Sequence, residues 1–320
     1  MTGILKTLSL CIISTNPDQP AILAIWQLSV SIQSFLEQVV PVHIDPPTLT
    51  ASLLLLVHPA WSADISTAPN PCLAGMAETE LSVNADYDIP IGIKQPDGPS
   101  YRLAALVAEQ LTSKKLQRER ERLIKAFINR EAPLAFHAAD AKPDRYGRKE
   151  AFIALKEKGE EGNNPHLLQE ALISAGLARV SLANLTDACA CHLLTLESEA
   201  RSARTGLWKL SGYHVKKADA LHLSAIVSTY QIISDNVLSV HRDADGTSYL
   251  NFGDNWYEDF TISLSKKTLQ NWEAKNKILD DLQNKPIYVR GWVEDRGGPL
   301  IPVQHAYQLQ YVGDNCQVKQ

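Results

Sequence analysis

The chain has 320 residues, which at roughly 150 residues per domain suggests about two domains. Its 45% of hydrophobic and 21% of charged residues are typical of a soluble globular protein, and they exclude a collagen, a coiled coil and a wholly disordered chain. Because 31 basic and 36 acidic residues give a formal charge of −5, any nucleic-acid site must be a local feature of the surface.

The first 71 residues differ in composition from the rest of the chain. They contain one basic residue, Lys6, and four acidic ones. An apolar run at residues 49–57 is shorter than the roughly 18 to 20 residues of a membrane-spanning helix, and small residues follow it. We therefore expect no membrane span but a signal peptide over about residues 45–63, and a periplasmic or secreted protein. The basic start of a signal is missing, so a true start near residue 45 and a cytoplasmic protein both stay open.

The cysteines are few. There are five, Cys11, Cys72, Cys189, Cys191 and Cys316, which is too few for a scaffold held together by disulfides. Cys189 and Cys191 are separated by one residue, a spacing found neither in redox pairs nor in the usual zinc sites. The pattern favours structural thiols.

The segment after the N-terminal extension predicts an α+β domain over residues 78–210. Alternating or β-branched residues indicate strands near residues 81–83, 89–93, 101–107, 133–136 and 151–155. Residues 112–130 have a helical apolar face. Two further helices are predicted at residues 166–174 and 187–204, and each ends before a glycine, Gly176 or Gly206, that can adopt the left-handed conformation.

A second domain is predicted after a linker at residues 211–220. Strands return at residues 223–233, 237–242, 249–252, 260–264, 286–293 and 306–312, with one helix at residues 267–282. This arrangement over residues 221–313 is typical of a small OB-like β-barrel. Its aromatic residues suggest either a stacking platform for single-stranded nucleic acid or ordinary packing, and a protein partner for this barrel stays open. The aromatic residues in question are Tyr249, Phe252, Trp256, Tyr257 and Trp292.

A series of short motifs in the first domain resembles the thermonuclease, or staphylococcal-nuclease-like, family. In order, they are Asp144-Arg145-Tyr146-Gly147-Arg148, Ala151-Phe152-Ile153, Leu167-Leu168, Gly176-Leu177-Ala178-Arg179-Val180, Glu197, Glu199-Ala200-Arg201, Ala203-Arg204 and Gly206-Leu207-Trp208. The resemblance extends over about residues 81–208. It implies an OB-type five-stranded barrel with three helices, and phosphodiester hydrolysis with Ca2+.

The resemblance also implies functional residues. Family members bind the phosphate with two arginines, which match Arg102 and Arg148. A planar guanidinium can bind two phosphate oxygens at once. Asp88 matches the first aspartate that binds calcium, and Tyr146 matches a tyrosine of the nucleotide pocket.

The second half of the implied site departs from the family. Val107 replaces the second metal-binding aspartate and cannot coordinate a cation, while Gln110 replaces the catalytic glutamate and cannot accept a proton at neutral pH. Glu109, one position earlier, is the remaining candidate base. Calcium binding is therefore expected to be weak.

A local excess of positive charge supports a nucleic-acid partner. Residues 112–150 contain 11 basic and 6 acidic residues, and Lys114 and Lys115 at the start of the predicted helix are candidate substrate contacts. Such a run is also typical of a solvated helix face.

Three hypotheses follow. The first is a secreted protein that binds DNA or RNA phosphodiesters and has weakened or lost nuclease activity. The second is an active Ca2+-dependent endonuclease that uses Glu109 as its base. The third is an interaction module of the cell envelope that binds protein or oligosaccharide.

Overall fold

The computed structural model describes residues 70–76, 78–80, 86–88, 91–94, 100–129, 134–138, 142–155, 165–218, 223–255 and 258–312. All of these lie within one compact unit of the chain, Asp64–Gln320. The predicted signal peptide over about residues 45–63 and the predicted strand at residues 81–83 fall outside the described residues. Within the described ranges, no helix is both long and apolar enough to cross a membrane.

A seven-stranded sheet forms the centre of the N-terminal part. Its strands are β1 (Glu78–Glu80), β2 (Asp86–Asp88), β3 (Gly92–Lys94), β4 (Ser100–Leu103), β5 (Leu134–Ala138), β6 (Lys149–Leu155) and β7 (His166–Leu167). They lie in the order β1-β5-β6-β4-β3-β2, and β7 also pairs with β6. β4 and β6 are parallel, and parallel strands need a long connection, which here contains α1 (Lys114–Ile128) and β5.

The helix α1 begins at Lys114, two residues after the predicted start at residue 112. Ser113 is the N-cap, and its hydroxyl accepts a hydrogen bond from the backbone N–H of Leu116. Leu116, Ile124 and Phe127 face the core at helical spacing. Together with the strands, α1, α2 (Leu168–Ser174) and α3 (Asp187–Ser202) confirm the predicted α+β class with three helices.

Two glycines allow the backbone that follows α2 and the backbone that follows α3 to approach each other closely. Gly176 has a φ of +62° and Gly206 a φ of +50°, so both adopt the predicted left-handed conformation. A Cβ atom on Gly206 would collide with the carbonyl oxygen of Gly176. That oxygen accepts a hydrogen bond from the backbone N–H of Leu207 at 2.8 Å. Larger residues at these two positions are therefore excluded by both conformation and space.

A disulfide joins the start of the described chain to α3. Cys72 and Cys189 are bonded across a sequence separation of 117 residues, and Cys191 is disulfide-bonded as well. The prediction of structural thiols is therefore wrong for these cysteines. A small number of cysteines excludes a disulfide-built fold, but it does not exclude single bonds that reinforce a fold with its own hydrophobic core.

The C-terminal part contains two more sheets. Its elements are α4 (Leu223–Ile226), β8 (Tyr230–Asn236), β9 (Ser239–Arg242), β10 (Ser248–Asn251), β11 (Thr261–Leu264), α5 (Lys266–Glu273), β12 (Pro286–Trp292), β13 (Glu294–Asp295), β14 (Pro299–Val303) and β15 (Leu309–Tyr311). One sheet has the order β13-β14-β11-β10-β9 and the other the order β15-β12-β8. Their apolar faces surround a second core that includes Leu250, Ile262, Trp272 and Ile287. This is the predicted second β domain.

Three details of the C-terminal part differ from the sequence prediction. Residues 223–226 form a short helix instead of the start of a strand. The predicted helix at residues 267–282 ends at Glu273, and Asn276, with a φ of +56°, lies outside helical conformation. The strand β14 was missed because Pro299 and Pro302 argue against a strand. The strand accommodates Pro302 because β13 pairs only with Pro299 and Leu300. Pro302, which has no backbone N–H, therefore need not donate a hydrogen bond to β13.

Buried polar side chains connect the two parts. Glu197 on α3 is 1% exposed and Arg290 on β12 is 5% exposed, and Arg290 Nη1 donates to Glu197 Oε2 at 2.5 Å. The other carboxylate oxygen, Oε1, accepts from the backbone N–H of Val180 at 2.8 Å. Tyr230 donates its hydroxyl hydrogen to the carbonyl oxygen of Val180, and burial raises the pKa of Tyr230 to about 12. The segment predicted as a linker also contributes, because Tyr213 within it is buried.

His305 forms another contact between the parts and predicts acid sensitivity. Its Nε2 lies 3.1 Å from the carbonyl oxygen of Leu185, and its Nδ1 accepts from the backbone N–H of Tyr307. Burial lowers the pKa of His305, and only the neutral ring can donate at Nε2 and accept at Nδ1. A histidine whose pKa is lowered by folding stabilises the protein fully above its unfolded pKa of about 6.5, and this contribution falls as the pH decreases further.

The free energy of unfolding should therefore decrease below about pH 6.5, and His305→Asn should remove part of this decrease. Urea denaturation at a series of pH values would measure both. His241 is the matched control, because it is exposed and pairs with Asp243 at 3.0 Å. If His305→Asn and His241→Asn change the pH dependence equally, the role assigned to His305 is wrong.

Candidate functional site

Arg102 lies in a row of residues that crosses four strands on one face of the sheet. Asp88 on β2 pairs with Gly92 on β3, Gly92 with Arg102 on β4, and Arg102 with Glu150 on β6. Directly paired residues point to the same face, so the side chains of Asp88, Arg102 and Glu150 share it. Gly92 has no side chain, and a Cβ atom there would lie 2.5 Å from the carbonyl oxygen of Tyr101.

The guanidinium of Arg102 forms an ion pair with Glu150. Both side chains are partly buried, so solvent screens this pair less than it would screen an exposed one. A phosphate that binds Arg102 must displace or share it with the Glu150 carboxylate. Glu150 was not predicted from the sequence, because only the parallel register of β4 and β6 brings residues 102 and 150 together.

Arg148 is also engaged by a carboxylate. Asp144 accepts hydrogen bonds from Arg148 Nε at 3.0 Å and from the backbone N–H groups of Tyr146 and Arg148. Burial alone would raise the pKa of Asp144, but these hydrogen bonds and the Arg148 charge lower it, so Asp144 is ionised at neutral pH. Each candidate phosphate-binding arginine therefore has an acidic partner within the protein.

Tyr146, in the turn between Asp144 and Arg148, is an exposed aromatic residue. Its side chain is 72% exposed. The Cζ atoms of Arg148 and Arg145 lie 5.0 and 5.8 Å from the centre of its ring. An exposed ring next to two cations can stack on a base while the guanidinium groups contact the backbone phosphates.

The loop after β4 is fixed by backbone pairing. Val107 donates its backbone N–H to the carbonyl oxygen of Arg179 at 2.9 Å, and Ser181 donates to the carbonyl oxygen of Ala105 at 2.8 Å. Val107 is 2% exposed. Gln110 is exposed. An aspartate at position 107 would place an ionised carboxylate in an apolar environment, which is unfavourable without a cation.

Glu109 is held by Arg179. Arg179 Nε donates to Glu109 Oε1 at 2.8 Å, and Arg179 Nη2 donates to Glu109 Oε2 at 2.5 Å. Arg179 is buried, donates to the carbonyl oxygen of Tyr230 at 2.8 Å, and lies over the rings of Tyr213 and Tyr230. Both carboxylate oxygens of Glu109 thus accept from one buried cation. To act as a general base, Glu109 would have to leave this pair.

The residues present do not fit a calcium site of the implied kind. Calcium prefers six to eight oxygen ligands, of which several are carboxylates. Among the described residues, no group of three or more His, Cys, Asp or Glu side chains is arranged to hold a metal ion. Asp88 is present, but a buried valine stands where the resemblance requires the second aspartate.

The basic helix face is only partly as predicted. Lys114 and Lys115 are exposed, as are Arg118 and Arg122. Arg120 is buried instead, and its side chain donates to the carbonyl oxygens of Leu177 and Glu109 at 2.8 Å each. The sequence contains a signal for this, because residues 116, 120, 124 and 127 share one helical face. Arg120 therefore stabilises the loop that contains Glu109 by hydrogen bonds in the protein interior. It does not belong to the exposed basic surface.

Of the aromatic residues considered for stacking, the three that the structure describes, Tyr249, Phe252 and Trp292, do not form a single platform. Tyr249 lies on β10, whereas Trp292 lies on β12 in the other sheet and packs edge-on against Tyr230 at 5.9 Å. Phe252 packs against Phe260 at 5.2 Å. Trp256 and Tyr257 fall outside the described residues.

Comparisons with known proteins agree with the family resemblance over part of the chain. No curated protein matches the chain. The family model described as "Staphylococcal nuclease homologue" matches residues 106–210. This range includes Glu109, Tyr146 and Arg148, while Asp88 and Arg102 lie before it. Residues 106–210 are therefore a staphylococcal-nuclease-like domain.

Proposed function

We propose that the protein binds nucleic-acid phosphodiesters on its staphylococcal-nuclease-like domain and cleaves them weakly or not at all. The observation that supports this proposal most strongly is the buried Val107 at the position of a metal ligand. Loss of a general base typically reduces a rate by about a hundred- to ten-thousandfold, and Gln110 cannot replace the base. Glu109, the remaining candidate, is bound on both oxygens by Arg179.

Binding is supported by the exposed surface around the same domain. Tyr146 is available for stacking, and Lys114 and Lys115 at the start of α1 add positive charge. Arg102 and Arg148 can contact phosphate only in competition with Glu150 and Asp144. We infer that binding is moderate and strongly dependent on salt, since it relies on exposed cations.

The binding part of the proposal is tested by fluorescence anisotropy with a labelled single-stranded oligonucleotide at several salt concentrations. The double variant Lys114→Ala/Lys115→Ala should bind more weakly, and its slope of log K against log salt should be shallower by about 1 to 2. Lys266→Ala/Lys267→Ala is the matched control, because these lysines also follow an N-cap serine at the start of a helix. Equal effects of the two double variants would contradict the assigned surface.

The cleavage part is tested with the same oligonucleotide in the presence and absence of Ca2+. The wild-type protein should release little or no product. Efficient Ca2+-dependent cleavage that Glu109→Gln abolishes would show that the protein is an active endonuclease instead. Failure to bind any DNA or RNA would favour the envelope interaction module.

We further propose that the protein is exported to the periplasm or secreted. The disulfide between Cys72 and Cys189 supports this location, because disulfides persist in oxidising compartments and are rare in the cytosol. Cleavage of a signal peptide near residues 62–64 is expected. N-terminal sequencing of the protein recovered from cells tests this, and a mature chain that retains residues 20–45 would contradict it.

A further inference from the structure

The five-stranded sheet of the C-terminal part has one polar face that is not part of a core. Val240, Leu250 and Ile262 point to the apolar face, where Leu250 and Ile262 are buried in the second core. On the other face, Tyr249 pairs with His241 on β9 and with Ser263 on β11. Paired residues share a face, so these polar side chains form a row across the sheet.

This face forms a groove of about 800 Å³. Nine of its lining residues are polar, and the groove crosses the strands β9, β10, β11 and β14 and two turns. The polar side chains used below are His241, Asp243, Tyr249, Asn251, Ser263 and Arg296. Ligand pockets usually have volumes of about 300–1,000 Å³. Neighbouring strands lie about 4.8 Å apart, so four strands give a length of about 14 Å. The groove can therefore hold an extended molecule of a few rings.

The charge of the groove disfavours a polyanion. Asp243 and Asp245 are acidic and Arg296 is basic, which gives a formal charge of −1 with His241 neutral. Arg296 is moreover bonded to Glu294 at 2.9 Å. Nucleic-acid sites require an excess of positive charge near the phosphates, which this groove lacks.

The hydrogen-bonding groups of the groove suit a ligand rich in hydroxyl groups. Carboxylates and hydroxyls accept hydrogen bonds, and the hydroxyls and the amide of Asn251 donate them, so the surface offers both donors and acceptors. Asn251 is oriented by Ser239, to which its Nδ2 donates at 3.2 Å. The ring of Tyr249 adds an apolar surface for C–H groups. Burial and the nearby Asp243 and Asp245 carboxylates raise the pKa of Tyr249, so its hydroxyl is protonated at neutral pH.

We propose that this groove binds a neutral oligosaccharide, with Tyr249 packing against a sugar ring and Asp243 and Asn251 bonding its hydroxyl groups. The groove lies on the face of the sheet and not along an edge, so it offers no backbone ladder for a peptide strand. The proposal rests on this part of the molecule alone and is independent of nucleic-acid binding by the nuclease-like domain.

The test is a calorimetric titration of the full-length protein with neutral tetrasaccharides of glucose and of N-acetylglucosamine. At least one should bind with a Kd below roughly 5 mM. Tyr249→Ala and Asp243→Ala should each weaken this binding by at least about tenfold. Asp280→Ala is the matched control, because Asp280 is an exposed aspartate of the same domain that pairs with Arg242 outside the groove.

Two results would overturn the proposal. One is the absence of saturable binding by every tetrasaccharide. The other is binding of a short oligothymidylate that Tyr249→Ala weakens, without saccharide binding, which would make the groove a nucleic-acid site. If circular dichroism shows that Tyr249→Ala unfolds the protein, the binding affinity of Asp243→Ala is used as the test instead. Asp243 is an exposed turn residue, so its replacement should leave the fold intact.

Discussion

Replacement of Glu197 by alanine should lower the free energy of unfolding by about 3–5 kcal/mol. The substitution leaves the buried guanidinium of Arg290 without its carboxylate, and the backbone N–H of Val180 without its acceptor. A buried charge without a partner costs more than the intact pair contributes, because the charge can neither return to water nor find another counterion. Urea denaturation followed by circular dichroism measures the change.

An exposed ion pair in the C-terminal part serves as the control. Arg242 and Asp280 are 45% and 59% exposed and are joined at 3.0 Å, so Asp280→Ala should cost at most about 1 kcal/mol. The double variant Glu197→Leu/Arg290→Met should be more stable than Glu197→Ala, since it removes both charges together. If Glu197→Ala costs no more than Asp280→Ala, then Glu197 and Arg290 are not paired in the folded protein.

Removal of the disulfide between Cys72 and Cys189 should lower the free energy of unfolding by about 2–4 kcal/mol. The bond closes a loop across 117 residues of sequence, and it therefore restricts the unfolded chain strongly. The double variant Cys72→Ala/Cys189→Ala measures the effect, because it leaves no unpaired thiol at either position. Its denaturation midpoint should fall relative to that of the wild type.

Peptide mapping provides the control for this prediction. Wild-type protein unfolded without a reducing agent should contain no peptide in which Cys72 or Cys189 has reacted with an alkylating reagent. Protein made in the reducing cytosol should contain such peptides and should be less stable by at least this amount, because it also lacks the disulfide of Cys191. Alkylation of either cysteine in exported, unreduced protein would contradict the assigned bond.

Local sequence patterns predicted those elements whose causes are local. The sequence predicts that Gly176 and Gly206 follow the ends of two helices, and both adopt the left-handed conformation that such positions favour. The N-cap Ser113 is equally local, although it was not predicted. The strand β14 was missed because its pairing partner β11 lies far away in the sequence, and only that pairing makes a segment with two prolines extended. The α+β class and the second β domain follow from periodicity and are confirmed.

The sequence predicted candidate residues of the site, but it did not predict which residues they bind within the protein. Family resemblance identified Arg102 and Arg148 as phosphate contacts, and their roles remain predictions. Their acidic neighbours differ in origin: Asp144 lies four residues from Arg148, whereas Glu150 is 48 residues from Arg102 and meets it only through the sheet. The burial of Arg120 could have been inferred from its position on the face of Leu116 and Ile124. Long-range pairs such as that of Glu109 with Arg179 could not.

The pairing of Glu197 with Arg290 also has a consequence for the order in which the protein is made. Arg290 follows Glu197 by 93 residues, so the carboxylate is synthesised well before the cation that neutralises it. Arg179 likewise precedes Tyr230, whose carbonyl oxygen it binds, by 51 residues. A nascent chain that ends at residue 210, where the family match stops, contains the nuclease-like segment but lacks both partners. In such a chain Arg179 still has Glu109 as its charged partner, but the carboxylate of Glu197 lacks Arg290, so we expect the isolated segment to be less stable than it is within the full-length protein.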